Sequence, residues 1–406
     1  MRLSFHLTLT LLLRLGLVLG SAQAPFLRHG RSDGRNVSVA LFTELEELAR
    51  IVDISYCVGS TSFGINKPFR CLSRCADFPQ FELVETWNTG PLLSDSCGYI
   101  ALDHSKARII VAFRGTYSIA NTIVDLSTVP QKYVPYPGEG DKEGGNGVSK
   151  KIIDAVKGVS PRDVAPASEP KCLNCTVHWG FHRSWMNTRD KILESVQEQV
   201  LHHPDYELTL IGHSLGGAVA ALAGLDFKAR GWHPRITTFG EPRIGNLAFV
   251  KYLDQRFDLA KKAPENDTLS EYRRVTHIDD PVPQLPLTEW GYAMHAGEIF
   301  ISKPSFSPDL KDIEHCTGDF DPKCIAGQDT TVPSDPESSK QKRDLLESVK
   351  GEIHDVVHEP WGIPSRYKLW ELLFAHRDYF WRLGLCVPGG DPLGGGSNYD
   401  QMREDL

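Results

Sequence analysis

The stretch LTLIGHSLGGAVAAL, residues 208–222, organises the whole sequence. Its apolar start, residues 208–211, predicts a buried strand, and the small residues at its end predict a helix. Between them lies Gly212-His213-Ser214-Leu215-Gly216, a G-x-S-x-G pattern that in a strand–turn–helix context is typical of a nucleophile elbow. Such a turn predicts that the Ser214 hydroxyl stands clear of the sheet as a nucleophile. The Leu215 N–H then points at the same space as an oxyanion donor.

The bulk composition fits one exported α/β protein. The chain has 406 residues, of which 41% are hydrophobic, enough for a sizeable core. The net charge of −8 comes from charges mixed along the chain, which gives no indication of nucleic acid as a partner. Nine cysteines are many for a cytosolic enzyme and ordinary for a secreted one.

The N-terminus predicts a signal peptide over residues 1–24. Arg2 and His6 precede an apolar run, and small residues close to Ala24 offer a cleavage site. Arg14 interrupts this run, and an uncleaved signal anchor is the alternative, although the run is short for crossing a bilayer. We therefore expect a secreted, extracellular protein.

Strand and helix patterns alternate through residues 38–388 without a break in composition, which predicts a single α/β domain. Residues 25–37 lack a pattern and are interpreted as a leader or short pro-segment. Two loop-rich stretches, 127–171 and 303–344, are predicted to be surface insertions. The Gly-rich acidic tail 389–406 is predicted to be disordered.

Apolar patterns place the secondary structure around the central stretch. Residues 57–100 are Cys-rich and are predicted to be largely irregular. Further strands are predicted at 99–102, 108–113, 235–239, 272–278 and 297–302, and helices from residue 39 and at 179–200, 247–257 and 345–357.

A serine nucleophile needs a base to take its proton and an acid to orient that base. On this type of sheet the three follow each other as Ser, Asp and His. Asp280 lies just beyond a predicted strand, at the sheet edge expected for Ser214, and Asp279 is its rival. A capped turn before Pro281 is the non-catalytic alternative for either. The candidate bases are His295, His315, His354, His358 and His376, the last in an aromatic segment that we expect to be rigid.

Further motifs follow in a fixed order between residues 57 and 386. They are Phe113-Arg114-Gly115-Thr116, the segment 118–126, Cys172-x-x-Cys175 with Gly180-Phe181-x-x-Ser184-Trp185, residues 212–218, Glu241-Pro242-Arg243-Ile244-Gly245-Asn246, Thr276-His277-x-x-Asp280-x-Val282-Pro283, Gly291-Tyr292 with His295, and His376 with Tyr379-Phe380. Together they resemble the filamentous-fungal, or class 3, lipases. The resemblance implies an α/β-hydrolase fold, with a central, mostly parallel sheet, helices on both faces and a short helical lid.

The resemblance also implies a role for each candidate site residue. It implies one catalytic triad and one oxyanion hole, with no metal and no organic cofactor. His213 and His295 are expected to pack near the site without reacting. The implied triad is Ser214, Asp280 and His376, and the implied oxyanion donors are the N–H groups of Thr116 and Leu215.

The segment 118–126 corresponds to the lid, with an ordinary surface helix as the alternative. Ile119, Ile123 and Val124 are its apolar residues, expected to lie over the serine or against lipid. Burying such a side chain in lipid is worth about 1.5–3 kcal/mol. Thr122 stands where a tryptophan anchor often lies in the family, which weakens the expected activation by an interface.

The resemblance pairs eight cysteines and leaves Cys97, which we expect to be buried and free. Half a zinc site is the alternative for Cys172-x-x-Cys175, but no second pair of suitable spacing supports it. Sequons at Asn36 and Asn266 predict glycosylation in an exported protein. The implied disulfides are Cys57–Cys386, Cys71–Cys75, Cys172–Cys175 and Cys316–Cys324.

The sequence thus predicts a secreted triacylglycerol lipase that acts through an acyl-enzyme at Ser214. Its partner is a lipid ester at an oil–water or membrane interface, with no nucleic acid and no obligate protein partner. A feruloyl-type carboxylesterase and a phospholipase A1 with the same triad are the alternatives, the first disfavoured by the apolar lid residues. A non-catalytic lipid-binding protein is disfavoured because all three triad residues are present.

Overall fold

The computed structural model describes the chain in eight segments. They are residues 35–59, 64–90, 95–116, 130–136, 171–259, 266–305, 307–328 and 375–387. Several predicted features lie outside the described residues. These are the signal peptide 1–24, the lid with Ile119, Ile123 and Val124, most of insertion 127–171, the helix at 345–357 and the tail 389–406.

Twelve strands and four α-helices occur in the described segments. The strands are β1 (Phe81–Asn88), β2 (Cys97–Asp103), β3 (Arg108–Phe113), β4 (Pro130–Lys132), β5 (Thr176–His178), β6 (Glu207–His213), β7 (Arg235–Phe239), β8 (Gly245–Asn246), β9 (Tyr272–His277), β10 (Tyr292–Ala293), β11 (Glu298–Ile301) and β12 (Ile313–His315). The helices are α1 (Val39–Ile54), α2 (Trp179–His202), α3 (Leu215–Ala229) and α4 (Leu247–Phe257).

The main sheet has eight strands in the order β1-β2-β3-β6-β7-β9-β11-β12. The five strands from β3 to β11 are parallel, whereas β1, β2 and β12 pair with their neighbours antiparallel. The sheet is therefore mostly parallel, as predicted, with antiparallel strands confined to its two ends.

Alternating side chains on β3 explain why helices cover both faces of this sheet. Ile109, Val111 and Phe113 belong to one apolar core together with α2, α3 and α4. Ile110 and Ala112 point the other way, into a core shared with α1. A strand covered on both faces must be apolar throughout, and every residue of β3 is buried. The layered α/β architecture predicted from the sequence is confirmed.

A second, antiparallel sheet has the order β10-β8-β5-β4 and was not predicted. Its strands are two or three residues long, too short to show a periodic pattern. Strand β5 leads into α2, which runs back to the start of β6, and β8 leads into α4, which runs back towards β9. The small sheet therefore lies at the carboxyl edge of the main sheet, where the parallel strands end.

Two stretches predicted to be irregular or loop-rich contribute strands to the main sheet. The irregular region 57–100 contains β1, whose alternation is interrupted by a register shift between Leu83 and Glu85. The insertion 303–344 contains the edge strand β12. Both were misread because a bulge or a three-residue strand removes the period-two signal.

The structure also places the end of the predicted leader 25–37 in the domain. The Val37 side chain is 3% exposed. Its N–H donates to the Ile313 carbonyl at 3.4 Å, and the His315 N–H donates to the Arg35 carbonyl at 2.7 Å. Residues 35–37 thus extend the sheet beside β12.

Four disulfides join the predicted pairs, and Cys97 is buried and free. The Cys57–Cys386 bond links the region after α1 to the segment 375–387, which carries His376. One buried and one partly buried hydrogen bond reinforce this link. The Gly384 N–H donates to Asp53 Oδ1 at 2.8 Å, and Trp381 Nε1–H donates to Glu46 Oε1 at 2.7 Å.

Replacing Cys57 and Cys386 with serine is expected to lower the free energy of unfolding by about 6 kcal/mol, because the bond closes a loop of 329 residues. The matched control replaces Cys71 and Cys75, whose separation is four residues, and should cost about 2 kcal/mol. Chemical denaturation of both double variants measures the difference. Equal losses would contradict a loop-length effect.

Two predicted features of an exported protein, its glycosylation sites and the lack of a membrane-spanning helix, concern the described segments. Asn36 and Asn266, the predicted glycan acceptors, are both exposed. Among the helices that the structure describes, none combines the length and the apolar character needed to cross a bilayer.

Candidate active site

The turn between β6 and α3 holds Ser214 in a strained conformation. Its φ of 58° and ψ of −130° are sparsely populated by residues other than glycine. Two backbone hydrogen bonds fix it: the Ser214 N–H donates to the Phe239 carbonyl at 2.9 Å, and its carbonyl accepts from the Gly217 N–H at 2.8 Å. This strand–turn–helix geometry is what the G-x-S-x-G pattern predicted.

The two glycines of the pattern are required by close backbone approach. A Cβ on Gly216 would lie 2.3 Å from the carbonyl oxygen of Phe113. A Cβ on Gly212 would lie 2.2 Å from the Gly216 carbonyl oxygen. No larger residue fits at either position without moving backbone, so the turn dictates this part of the sequence.

The structure brings His376 and Asp280 together across 96 residues. The Nδ1 atom of His376 lies 2.9 and 3.0 Å from the two carboxylate oxygens of Asp280, and both side chains are buried. Because a carboxylate only accepts, Nδ1 carries the imidazole proton. The Nε2 atom is then a lone-pair acceptor, and it is buried without a hydrogen-bond partner among the described residues. An imidazole held in this tautomer is prepared to act as a general base.

His213 connects this pair to the serine turn. Its ring stacks on His376 with the ring centroids 4.7 Å apart. Its Nε2–H donates to the backbone carbonyl of His376 at 2.8 Å. Burial, followed by the neighbouring His376, lowers the pKa of His213 to about 3, so this imidazole stays neutral near pH 7. Since His213 directly precedes Ser214, these contacts bring the start of the serine turn against His376.

Asp280 is held in its ionised form by three donors. Besides His376, the Tyr379 hydroxyl donates to Oδ2 at 2.5 Å and the Val282 N–H donates to Oδ1 at 2.9 Å. Burial alone would raise the pKa of Asp280, but His376, Tyr379 and Val282 hold this pKa below its usual range. The carboxylate can therefore stabilise a positive charge on the neighbouring imidazole.

Replacing Tyr379 with phenylalanine is expected to cost about 1.5–3 kcal/mol of stability at pH 7, because it removes a hydrogen bond to a charged group. The pKa of Asp280 is lower in the folded protein than in the unfolded chain, so the ionised carboxylate stabilises the fold. This contribution to the free energy of unfolding is complete above the unfolded pKa of about 3.9. It is lost as the pH falls through the folded pKa. The penalty should therefore shrink below about pH 4. Thermal unfolding of the wild-type and Tyr379→Phe proteins at about pH 3 to about pH 7 measures this stability penalty.

Tyr99 provides a control for the Tyr379 variant. Its buried hydroxyl donates to the neutral Ile51 carbonyl at 2.8 Å. Replacing Tyr99 with phenylalanine should cost stability by an amount that is nearly constant over this pH range. A Tyr379→Phe penalty that is equally constant would refute the charge-assisted interpretation.

The two predicted oxyanion donors flank Ser214. Leu215 is the first residue of α3, and N–H groups at a helix start have no acceptor within the helix. Thr116 follows β3 and is half-buried. A Cβ on Gly115 would lie 2.8 Å from the Ser214 Cβ, so the chain leading to Thr116 packs directly on the serine. Leu215 thus directly follows Ser214 in the turn, and Thr116 directly follows a residue that packs on the Ser214 Cβ.

Tyr56 is a site residue that was not predicted from the sequence. Its hydroxyl lies 2.5 Å from Nδ1 of His213, which accepts because Nε2 carries the proton. The same hydroxyl accepts a hydrogen bond from the Gly115 backbone, and burial raises the pKa of Tyr56 well above its usual value. Tyr56 thus links Gly115, which follows β3, to His213, and His213 in turn contacts the backbone of His376. No motif marks Tyr56, whereas Tyr379 stands three residues after His376 in a motif already recognised.

The other candidates for the catalytic acid and base do not take part in the His376–Asp280 pair. The Asp279 side chain is exposed next to the buried Asp280. His295 pairs with Glu241 at 2.8 Å, and His315 lies 3.2 Å from Asp267. The remaining candidates, His354 and His358, lie outside the described residues.

One cluster in the described segments has the composition of a metal site. Single ligand atoms of Glu298, Cys316 and Cys324 lie within 4.8 Å of one another. Both cysteines are joined in a disulfide, so neither offers the thiolate that a metal would bind. The pair Cys172–Cys175 is likewise oxidised, which removes the zinc alternative for it.

Sequence comparison relates the chain to secreted fungal lipases. A family model described as Lipase (class 3) matches residues 110–290. The chain is 51% identical over 375 residues to the secreted mono- and diacylglycerol lipase 2 of Gibberella zeae, covering 88% of this chain and 85% of that relative. It is 48% identical over 380 residues to lipase A of Sodiomyces alcalophilus, covering 89% of this chain and 85% of the relative.

Structural comparison gives the same result. The crystal structure of Lip2 lipase from Yarrowia lipolytica matches with a TM-score of 0.63 and 29% sequence identity. The match covers 87% of this chain and 97% of the lipase.

Proposed function

Because this chain belongs to the class 3 lipase family, we propose that it is a secreted serine lipase that hydrolyses the ester bonds of acylglycerols through an acyl-enzyme at Ser214. The observation that carries the proposal is the state of His376. Its Nδ1 is held by Asp280, and its Nε2 is buried without a hydrogen-bond partner among the described residues, beside the serine turn. An Nε2 in this state forms no hydrogen bond that would stabilise the described part of the fold, and it is available to accept a proton.

In the acylation half-reaction, His376 Nε2 takes the proton from Ser214 Oγ while Oγ attacks the ester carbonyl carbon. Asp280 stabilises the imidazolium that forms. The carbonyl oxygen becomes an oxyanion that accepts hydrogen bonds from the N–H groups of Thr116 and Leu215. Each such donor is worth about 10²–10³ in rate.

The tetrahedral intermediate then collapses. The C–O bond to the alcohol breaks, and the alcohol leaves with the proton from His376 Nε2. In the second half-reaction His376 takes a proton from water, whose oxygen attacks the acyl carbon, and the acid departs as Ser214 recovers its proton. The cycle is balanced with water as the only co-reactant, so it requires no metal and no organic cofactor.

Acylglycerols are the proposed substrate class because the relative from Gibberella zeae is named a mono- and diacylglycerol lipase. The apolar lid residues Ile119, Ile123 and Val124 support the same class, with the segment 118–126 proposed to open at lipid surfaces. Secretion is proposed because this relative is named as secreted and because four disulfides suit an oxidising compartment. The signal peptide at 1–24 is part of that proposal.

The test compares initial rates on emulsified triolein, diolein and monoolein with rates on methyl ferulate and phosphatidylcholine, using the Ser214→Ala protein as the blank. We expect glycerides to be hydrolysed fastest, and the three glycerides show which degree of acylation is preferred. A strong preference for methyl ferulate would replace the proposal with a feruloyl-type esterase. A strong preference for phosphatidylcholine would replace it with a phospholipase A1.

A further inference from the structure

Four exposed apolar side chains surround the small sheet. Val134 is 44% exposed, Leu173 72%, Trp179 48% and Leu247 44%. We call these four residues the rim patch. Each is the chain neighbour of a residue that is hydrogen-bonded in or beside the small sheet. Next to Val134, the Tyr133 N–H donates to the Cys175 carbonyl, and next to Trp179, the His178 N–H donates to the Ile244 carbonyl. Asn246 and Asn174, the neighbours of Leu247 and Leu173, are joined by a bond from Asn246 Nδ2 to the Asn174 carbonyl.

The rim patch lies at the same edge of the main sheet as Ser214. Trp179 is the first residue of α2, which runs antiparallel to β6, so its start lies near the end of β6, where the serine turn begins. Leu247 is the first residue of α4, which follows the carboxyl end of β7. Val134 and Leu173 lie beside the strands β4 and β5, which pair with each other. The exposed apolar groups therefore share an edge with the reactive hydroxyl.

The segments that hold the rim patch carry a charge opposite in sign to that of the whole chain. The chain carries 52 Asp and Glu residues and a net charge of −8. The segments 130–136, 171–187 and 245–251, which hold the patch, contain no Asp or Glu. Four of their basic side chains are exposed, and none forms an ion pair with a described residue: Lys132, Lys171, Arg183 and Lys251.

We propose that the rim patch docks the protein on an anionic lipid surface and thereby turns the active-site edge towards its substrate. This inference rests on the proposed function, because a water-insoluble ester must reach Ser214 from a lipid phase. Apolar groups among cations fit such a surface: the tryptophan and leucines enter the headgroup region, and each Lys or Arg strengthens binding to anionic lipid about fivefold. A second copy of the chain is a poorer occupant, because two cationic faces would repel each other.

The first experiment measures co-sedimentation with vesicles of phosphatidylcholine and phosphatidylglycerol, in the full chain carrying Ser214→Ala so that no lipid is hydrolysed. Adding Leu173→Ser and Trp179→Ser should weaken vesicle binding at least tenfold. The matched control is Leu201→Ser, since Leu201 is 53% exposed at the opposite end of α2. It should change binding by less than about twofold. Equal effects of the patch and control variants would overturn the proposal.

A second experiment separates charge from apolar contact. Replacing Lys132 and Lys171 with glutamine should weaken binding about fivefold for each lysine on vesicles containing phosphatidylglycerol, and leave binding to pure phosphatidylcholine vesicles unchanged. The control is Lys191→Gln on the exposed side of α2. A loss that is the same on both vesicle types would refute the anionic surface.

Activity provides the third measurement, made on the protein with Ser214 intact. The Leu173→Ser and Trp179→Ser variant should keep its rate on dissolved p-nitrophenyl butyrate and lose rate on emulsified triolein. Leu173→Ser alone, at the most exposed position, should give a smaller loss of the same kind. Equal losses on both substrates would overturn the docking role. Failure of the wild-type protein to hydrolyse either ester would instead refute the proposed function, while the vesicle measurements would still stand.

Discussion

Replacing Ser214 with alanine is expected to lower kcat for ester hydrolysis by about 10⁶-fold while the protein still folds. The substitution removes the only atom that forms the covalent intermediate in the proposed cycle. Alanine retains the Cβ, so the packing of the serine turn against Gly115 is preserved. Rates by pH-stat titration, together with the thermal unfolding curve, separate loss of chemistry from loss of fold.

Ser184 supplies the control for this prediction. It is also buried, and its hydroxyl donates to the Asp95 carbonyl at 3.1 Å. Ser184→Ala should cost about 1 kcal/mol of stability and leave kcat within about twofold. If Ser214→Ala retained more than about one hundredth of the activity, another group would have to be the nucleophile.

Replacing Asp280 with asparagine is expected to lower kcat by about 10⁴-fold. The amide nitrogen of asparagine can donate to His376 Nδ1, which would move the imidazole proton to Nε2. An Nε2 that carries a proton cannot take one from Ser214. The substitution also removes the negative charge that stabilises the imidazolium, so both effects act in the same direction.

The neighbouring carboxylate offers the closest control for the Asp280 variant. Asp279 is exposed, and Asp279→Asn should change kcat by less than about twofold. A pH–rate profile for each variant shows whether the base still titrates. A kcat within tenfold of wild type for Asp280→Asn would mean that the carboxylate does not set the tautomer of His376.

Local sterics explain why the serine turn could be predicted from sequence. Glycine is required at 212 and 216 because backbone atoms would lie less than 2.5 Å from any added Cβ. The turn therefore produces a recognisable pattern within five consecutive residues. The apolar run of β6 and the small residues of α3 give the flanking elements their patterns. Interactions confined to a few neighbouring residues are the ones that a pattern can report.

Long-range contacts explain what the sequence did not reveal. The hydroxyl of Tyr56 meets His213 across 157 residues, and His213 meets the carbonyl of His376 across 163. No spacing rule encodes either contact. For the same reason, the residues alone left five candidate histidines, and only the family resemblance singled out His376.

Short and interrupted strands account for the errors in the predicted fold. Strand β1 contains a bulge, β12 has three residues, and the strands of the small sheet have two or three. These elements are stabilised by pairing with distant strands rather than by their own periodicity. The rim patch could not be foreseen for this reason, because its residues come together only through the small sheet.

Activation of Ser214 by His376 can be measured by labelling the protein with a p-nitrophenyl alkylphosphonate, which forms a stable adduct with an activated serine. Mass spectrometry then locates the adduct. We expect one adduct, on the peptide that contains Ser214. Labelling should become slower by several orders of magnitude in His376→Ala, because the base that activates the hydroxyl is gone. An adduct on another residue, or an unchanged labelling rate in His376→Ala, would show that Ser214 is not the nucleophile activated by His376.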